Sequence, residues 1–286
     1  MRQFLRHYLL AVQFFTRIPV TGRLAEWVGY SPALLRGSAA HFPGIGWLVG
    51  ALAAGMYLVL LALLPASPFA PLVAAVLSTV TSVLLTGGFH EDGLADVADG
   101  LGGSAERDRA LEIMKDSRVG AFGSLALMLA LLGKVALLAL LGSVEITLPG
   151  LDDASLEATL EAPFDGWLVA VALFAAHVVS RGLPLLLIRL LPHVGDTASS
   201  KSKPLAEQIS LPSLGAASVW VFLALALAAI ALPAINLIVA CSFAVIALLW
   251  MGRLFTRRLQ GFTGDCLGAT QQVCEIAFYL GLAVSL

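Results

Sequence analysis

Seven stretches of roughly 20 mostly apolar residues dominate this sequence, and they leave few folds open. Wound as α-helix, a run of that length matches the hydrocarbon thickness of a bilayer, and in lipid the backbone has to satisfy its own hydrogen bonds. The stretches cover residues 42–64, 70–89, 120–141, 166–190, 213–232, 234–251 and 267–286. The chain of 286 residues is 59% hydrophobic and only 13% charged, where an ordinary soluble domain carries about 25% charged residues. That balance excludes a disordered chain, a collagen-like chain and a disulfide scaffold, and it argues against a soluble enzyme. The expectation is one all-α integral membrane domain over residues 1–286, a polytopic transmembrane helical bundle of about seven spans. An eighth apolar stretch, 4–20, is interrupted by Thr16, Arg17 and Pro19. It is too short and too charged to span, and reads as an N-terminal helix lying in the membrane interface. Cys241, Cys266 and Cys274 are odd in number and lack a CxxC pair, so they read as packing residues. No basic excess points to nucleic acid.

The positions of Lys and Arg test the span count. Basic residues collect in cytoplasmic loops. Arg2, Arg6, Arg17, Arg23 and Arg36 precede the first span; Arg107, Arg109, Lys115 and Arg118 lie between the second and third. Lys201 and Lys203, with Arg189 at the edge of the fourth span, lie before the fifth, and Arg253, Arg257 and Arg258 between the sixth and seventh. These fifteen alternate with connections that hold no Lys or Arg, and only Lys134 and Arg181 fall inside spans. The pattern predicts a cytoplasmic N-terminus and an external C-terminus. The external 142–165 loop, with Glu145, Asp152, Asp153, Glu157, Glu161 and Asp165, reads as a solvated acidic loop.

The densest chemical signal runs from Gly87 to Gly100, where Glu91, Asp92, Asp96 and Asp99 fall within nine residues at a membrane boundary. On a helix, Asp92, Asp96 and Asp99 are spaced i, i+4, i+7 and share a face, with Glu91 about 100° away. Like charges so placed repel, and a divalent cation removes the conflict. Hard oxygen donors suit Mg²⁺, which also binds phosphate. The neighbours are Gly, Leu, Ala and Val rather than the mixed charges of a solvated face. Asp92, Asp96, Asp99 and Glu91 are therefore candidate metal ligands. His90 is a candidate general base or ligand, although a lone histidine at a helix end is more often a hydrogen-bonded structural group.

Ser104 is a candidate N-cap for a short helix at 105–115. Beyond it, Lys115, Asp116 and Arg118 abut the glycine-flanked start of the third span. Such a helix start with nearby cations suits an anion, although the two cations also fit simple membrane anchoring. His177 and Arg181 share a face of the fourth span. An intramembrane charge marks a functional site by default, with a buried ion pair as the alternative. Asp265, at the start of the last helix, either caps it or joins a phosphate or metal site. Glu275, one helical turn from Gln271 on the same apolar helix, needs a partner inside the bundle, Arg181 or the metal.

Four segments together resemble the cobalamin synthase (adenosylcobinamide-GDP ribazoletransferase) family: Phe14–Val20, Gly88–Gly100, Ile113–Gly120 and Thr263–Ala269, in the same order over almost the whole chain. The second and third are highly specific as a pair, and nothing in them departs so as to disable the site. The resemblance implies an Mg²⁺-dependent enzyme of the bacterial inner membrane. A ribose hydroxyl of α-ribazole or its 5′-phosphate would attack the phosphorus on the arm of adenosylcobinamide-GDP, and GMP would leave. Asp92, Asp96, Asp99, His90 and Asp116 would then carry catalysis, and Lys115, Arg118, Arg181 and Asp265 would bind substrate. Other corrinoid-assembly enzymes would be partners. A CDP-alcohol phosphotransferase is the rival enzyme, but its early Asp pair ends in Ala-Arg, whereas Val-Ala-Asp-Gly follows Asp96 here. A secondary transporter is a third reading, and its coupling carboxylates belong at the midplane rather than at one boundary.

Overall fold

The chain was analysed as a computed structural model, which describes residues 2–144, 166–195 and 208–286. The acidic residues of the expected external loop, with Lys201 and Lys203, lie outside the described residues. All regular structure among the described residues is helical, apart from one isolated parallel bridge between His193 and Phe262. The elements are α1 (Arg2–Phe15), α2 (Gly22–Val28), α3 (Pro32–Ser38) followed by a 3₁₀ turn (Ala39–His41), α4 (Phe42–Leu63), α5 (Ala70–Thr86), α6 (Phe89–Gly103) and α7 (Arg107–Ile113). They continue with α8 (Ala121–Leu141), α9 (Trp167–Gly182), α10 (Leu185–Leu190), α11 (Leu211–Ala228), α12 (Ala234–Arg258) and α13 (Gly264–Ser285).

Six helical stretches are long and apolar enough to cross a bilayer: Pro32–Leu63, Ala121–Leu141, Trp167–Leu190, Leu211–Ala228, Ala234–Arg258 and Gly264–Ser285. The expected interfacial helix is α1, which ends at Phe15. There the Thr16 hydroxyl donates to Val12 O (2.7 Å) and accepts from the Ile18 N–H (3.1 Å), fixing the exit of the chain. Helices α2 and α3, in a region without a strong sequence signal, extend this amphipathic N-terminal part.

The second expected span is present as a broken one: α5 and α6 are long and apolar enough only as a bent pair, which brings the count to as many as seven. Helix α5 has 17 residues and stops at Thr86; α6 then leaves at 90°. Gly87 and Gly88, at φ +70° and +71°, make the turn, a left-handed conformation that costs side-chain-bearing residues energy and glycine little. Helix α6 lies outside the six spanning stretches and packs between α8 and α13. It approaches α13 so closely at Gly93 that a Cβ there would stand 2.8 Å from the Asp265 carbonyl oxygen. The far end of α6 is held by α12: Arg258 donates to Leu101 O (3.1 Å) and Ser104 O (2.6 Å), a cation on the orphan carbonyls of a helix C-terminus. Ser104 does not cap α7. Its hydroxyl accepts from the Glu106 N–H (3.1 Å) and shapes the turn before that helix.

Helix α9 is central, with α4 along one side and α13 along another. Lipid-facing positions stay apolar and exposed, as at Leu129 and Leu132 of α8 and Phe222 of α11. The interior carries charge instead. Lys134 of α8 pairs with Glu275 of α13 at 2.6 Å, the two side chains 2% and 1% exposed. Glu275 also accepts from Gln271 (2.7 Å) and from the Tyr279 hydroxyl (3.0 Å), and lies 3.3 Å from His177 Nδ1. Arg181 donates to His177 O (3.0 Å), sits 2.9 Å from its Nδ1, and rests over the Phe42 ring. So the partner Glu275 requires is Lys134 of α8 rather than Arg181, with further contacts from His177 of α9 and from Gln271 and Tyr279 of its own helix.

Removing one member of such a pair strands a charge in a low dielectric, typically at about 3–5 kcal/mol. Lys134→Met should cost about that much in unfolding experiments in detergent, and adding Glu275→Gln should restore most of it. A double variant as unstable as Lys134→Met alone would show that the two residues are not coupled.

Candidate active site

The four carboxylates of α6 take four different environments. Asp92 is exposed, Asp96 is half-buried and Asp99 is buried. Glu91 accepts from the Gln272 side chain (3.0 Å), and Gln272 also donates to Gln271 (3.0 Å), which ties this carboxylate to the Glu275 network.

The buried member, Asp99, is already engaged. Its two oxygens accept the N–H groups of Gly120 (2.6 Å) and Gly123 (2.8 Å). These are orphan donors at the start of α8, where a carboxylate also meets the positive end of the helix dipole. The i, i+4, i+7 spacing puts Asp99 on the predicted face, but there it joins α6 to α8. In its place Asp265 comes up from the first turn of α13, with Thr263 donating to its Oδ2 (3.2 Å). Asp96 feels Asp265, Asp92 and Asp99 together. Desolvation first, and then these like charges, push its pKa up to about 7.

Beside this group, between the end of α1, the Gly87–Gly88 turn and the start of α8, a cleft of about 540 Å³ opens. Glu91 and Asp92 line it, with Val119 on the α8 side. Asp92 therefore belongs to the acidic group and to the cleft. Arg17 lines the cleft too. Sequence reading missed this residue as a site group, although it lies in the Phe14–Val20 segment; the available signal was a lone Arg just past an amphipathic helix.

The other site candidates lie elsewhere. His90 is 1% exposed and neither ring nitrogen has a hydrogen-bond partner. It packs between Phe42 and Phe89, against a small apolar cavity of about 40 Å³ rather than the cleft. Arg181 is 1% exposed inside the bundle. Arg118 is exposed and forks onto Asp116, through Nε at 3.0 Å and 3.1 Å, and that pairing lowers the Asp116 carboxyl to about 2. Lys115 is exposed on the same loop. This loop meets the site through Val119 and the Asp99–Gly120 hydrogen bond.

Hard oxygen donors whose charges repel one another fit a divalent cation. Among the described residues, no three His, Cys, Asp or Glu side chains already converge at metal-binding distances. Asp92, Asp96 and Asp265 are the carboxylates left with unrelieved repulsion.

A helical integral membrane protein with an acidic group at the edge of a polar cleft is the class these features define. Residues 7–283 match the family described as cobalamin-5-phosphate synthase, and the chain belongs to that family. It is 73% identical over 284 residues to the adenosylcobinamide-GDP ribazoletransferase of Polaromonas sp. (strain JS666), covering 99% of this chain and 98% of the relative. It is 70% identical to the protein of that name from Polaromonas naphthalenivorans over 286 residues, the whole of both chains. A Vibrio cholerae protein of the same name is 40% identical over 280 residues, 98% of this chain and 94% of its own. No solved structure matches the chain.

The differing environments of Asp96 and Asp99 give two expected outcomes. Asp99→Ala leaves two N–H groups at the α8 start without their acceptor and should cost about 1–3 kcal/mol of stability, whereas Asp96→Asn should not. In EDTA, the folded protein keeps the Asp96 proton up to about pH 7, while an unfolded chain loses it near 3.8. The native state then binds more protons, so stability falls as pH rises between those values. Melting temperatures across that range should decline in the parent protein and flatten in Asp96→Asn. Equal slopes would dismiss the crowded Asp96.

Proposed function

We propose that this protein joins adenosylcobinamide-GDP to α-ribazole or α-ribazole 5′-phosphate with release of GMP, the nucleotide-loop step of cobalamin biosynthesis, and that it requires Mg²⁺. The observation that carries the chemistry is the uncompensated group of Asp92, Asp96 and Asp265 at the edge of a cleft large enough for a phosphate-bearing substrate. The full-length likeness to proteins named for this transfer supports the choice of substrates. Mg²⁺ would be held by Asp92, Asp96 and Asp265, and would supply neutralisation of the pyrophosphate charge. Asp99 acts one step removed, by fixing α8 and the 115–120 loop against α6.

Displacement at a pyrophosphate depends on positioning and charge more than on covalent catalysis. The ribose hydroxyl oxygen bonds to the phosphorus on the corrinoid arm, the bond to the GMP phosphate breaks, and GMP leaves with that electron pair. Glu91 would take the hydroxyl proton, because it lines the cleft and has one oxygen on Gln272 and the other buried without a hydrogen-bond partner. His90, sealed among aromatic rings, is not in a position to do so. The two rival readings gain nothing from the relatives.

The bacterial inner membrane, with the cleft on the cytoplasmic side, is the setting that the alternation of basic loops supports. That side would also meet any partner enzymes of corrinoid assembly. Purified protein in detergent should release GMP and yield a joined corrinoid of the expected mass when given both substrates and Mg²⁺, and EDTA should abolish both. Asp96→Asn should lower the rate by about a hundredfold with no loss of melting temperature. An active Asp96→Asn enzyme would remove the acidic group from the mechanism.

A further inference from the structure

On the proposed reaction the departing phosphate calls for a cation in the cleft, and Lys115, Arg118 and Arg181, the basic residues singled out by the sequence, do not line it. Lys134 and Arg181 are sealed in the bundle with Glu275 and His177. Arg118 is forked onto Asp116, away from the cleft lining. Arg258 is committed to the carbonyls that end α6, and Arg107 donates to Leu259 O at 2.7 Å.

Arg17 alone of these arginines lines the cleft, and its backbone is fixed. The turn after α1 is closed by the Thr16 hydroxyl, and the Arg17 N–H donates to Leu85 O at 2.7 Å, at the end of α5. The side chain lies across Gly87, where a Cβ would collide with its Nε. Its guanidinium has no ion pair or hydrogen bond among the described residues, although Glu91 and Asp92 line the same cleft. An exposed arginine held at the backbone, laid over a bare glycine turn and left unpaired, presents its planar fork to the cleft. That fork matches two phosphate oxygens, a fit that lysine lacks.

Taking the proposed transfer as the reaction, we propose that Arg17 binds the phosphate of the departing nucleoside monophosphate. It would stabilise the charge that builds on that phosphate as its bond to the corrinoid-arm phosphorus breaks. The glycine at 87 is then required twice: for the left-handed turn and for the space the guanidinium occupies. A purely structural role, with Arg17 covering the end of α5, is the competing account.

The two accounts differ in what they do to ligand affinity. Titration calorimetry on the whole purified protein, with GMP and with guanosine as the probe lacking phosphate, separates them. The wild type should bind GMP more tightly than guanosine. Arg17→Ala should lose roughly tenfold or more in GMP affinity while guanosine binding stays unchanged, and Arg17→Lys should recover only part of the loss. Unchanged GMP affinity in Arg17→Ala, or an equal loss for GMP and guanosine, overturns the assignment, as does a wild type indifferent to the phosphate. Measuring transfer on the same wild-type sample keeps the two proposals apart. An active enzyme whose Arg17→Ala variant still binds GMP normally overturns only the role of Arg17, whereas an inactive wild type overturns the reaction.

Discussion

Two adjacent glycines in the left-handed conformation decide where the chemistry of this molecule can lie. A straight continuation of α5 would carry Glu91, Asp92 and Asp96 out past the end of the bundle, away from α8 and α13. The 90° turn at Gly87–Gly88 takes α6 out of that direction and wedges it between α8 and α13. The same turn leaves the cleft open beside the end of α1. Fold and site thus share one local backbone feature: the break that shortens a span also creates the wall on which the carboxylates stand.

What steadies that wall is polar and buried. From Glu91 through Gln272 and Gln271 to Glu275 and Lys134, consecutive hydrogen bonds run from the cleft into the interior of the bundle. From Gln272 inward each side chain in this chain of contacts finds a partner, which is the condition for keeping polar groups where lipid surrounds the protein; at the cleft end Glu91 keeps one buried oxygen without a hydrogen bond. A buried pair of this kind is weak support for net stability, but it fixes the relative rotation and register of the helices that carry it. Here the helices so fixed, α8 and α13, are those that flank α6.

The spans were largely legible in the sequence, because apolar length is a strong signal and lipid permits only helices there. The exception, residues 70–89, reads as a span from hydropathy, since Gly87, Gly88 and Phe89 do not interrupt an apolar average. Only the backbone shows that the first two reverse handedness. The acidic stretch was legible as well, and its spacing correctly places Asp92, Asp96 and Asp99 on one face. Spacing along one helix could not reveal that the α8 start would claim Asp99, nor that Asp265 would arrive from another helix, because both depend on tertiary packing. Lys134 and Arg17 were illegible for a related reason. A single cation in an apolar run, or just beyond an amphipathic helix, gives no sign of what it will face.

The distribution of cations also explains why the acidic group is left as it is. The chain has nearly as many Lys and Arg as Asp and Glu, 17 against 19, so counter-charges for Asp92, Asp96 and Asp265 were available in number. Yet Arg107 and Arg258 are spent on carbonyls, Arg118 on Asp116 and Lys134 on Glu275, and Arg17 lies over Gly87 without pairing to Glu91 or Asp92. A protein cation placed among the three aspartates would relieve their repulsion and, by the same act, fill the space that the proposed reading leaves for an ion and a phosphate. On the proposed reading the group is completed only from solution, by a small divalent ion that leaves room for phosphate oxygens beside it. The raised pKa of Asp96 is then the signature of a site whose neutralising charge arrives with its ligand.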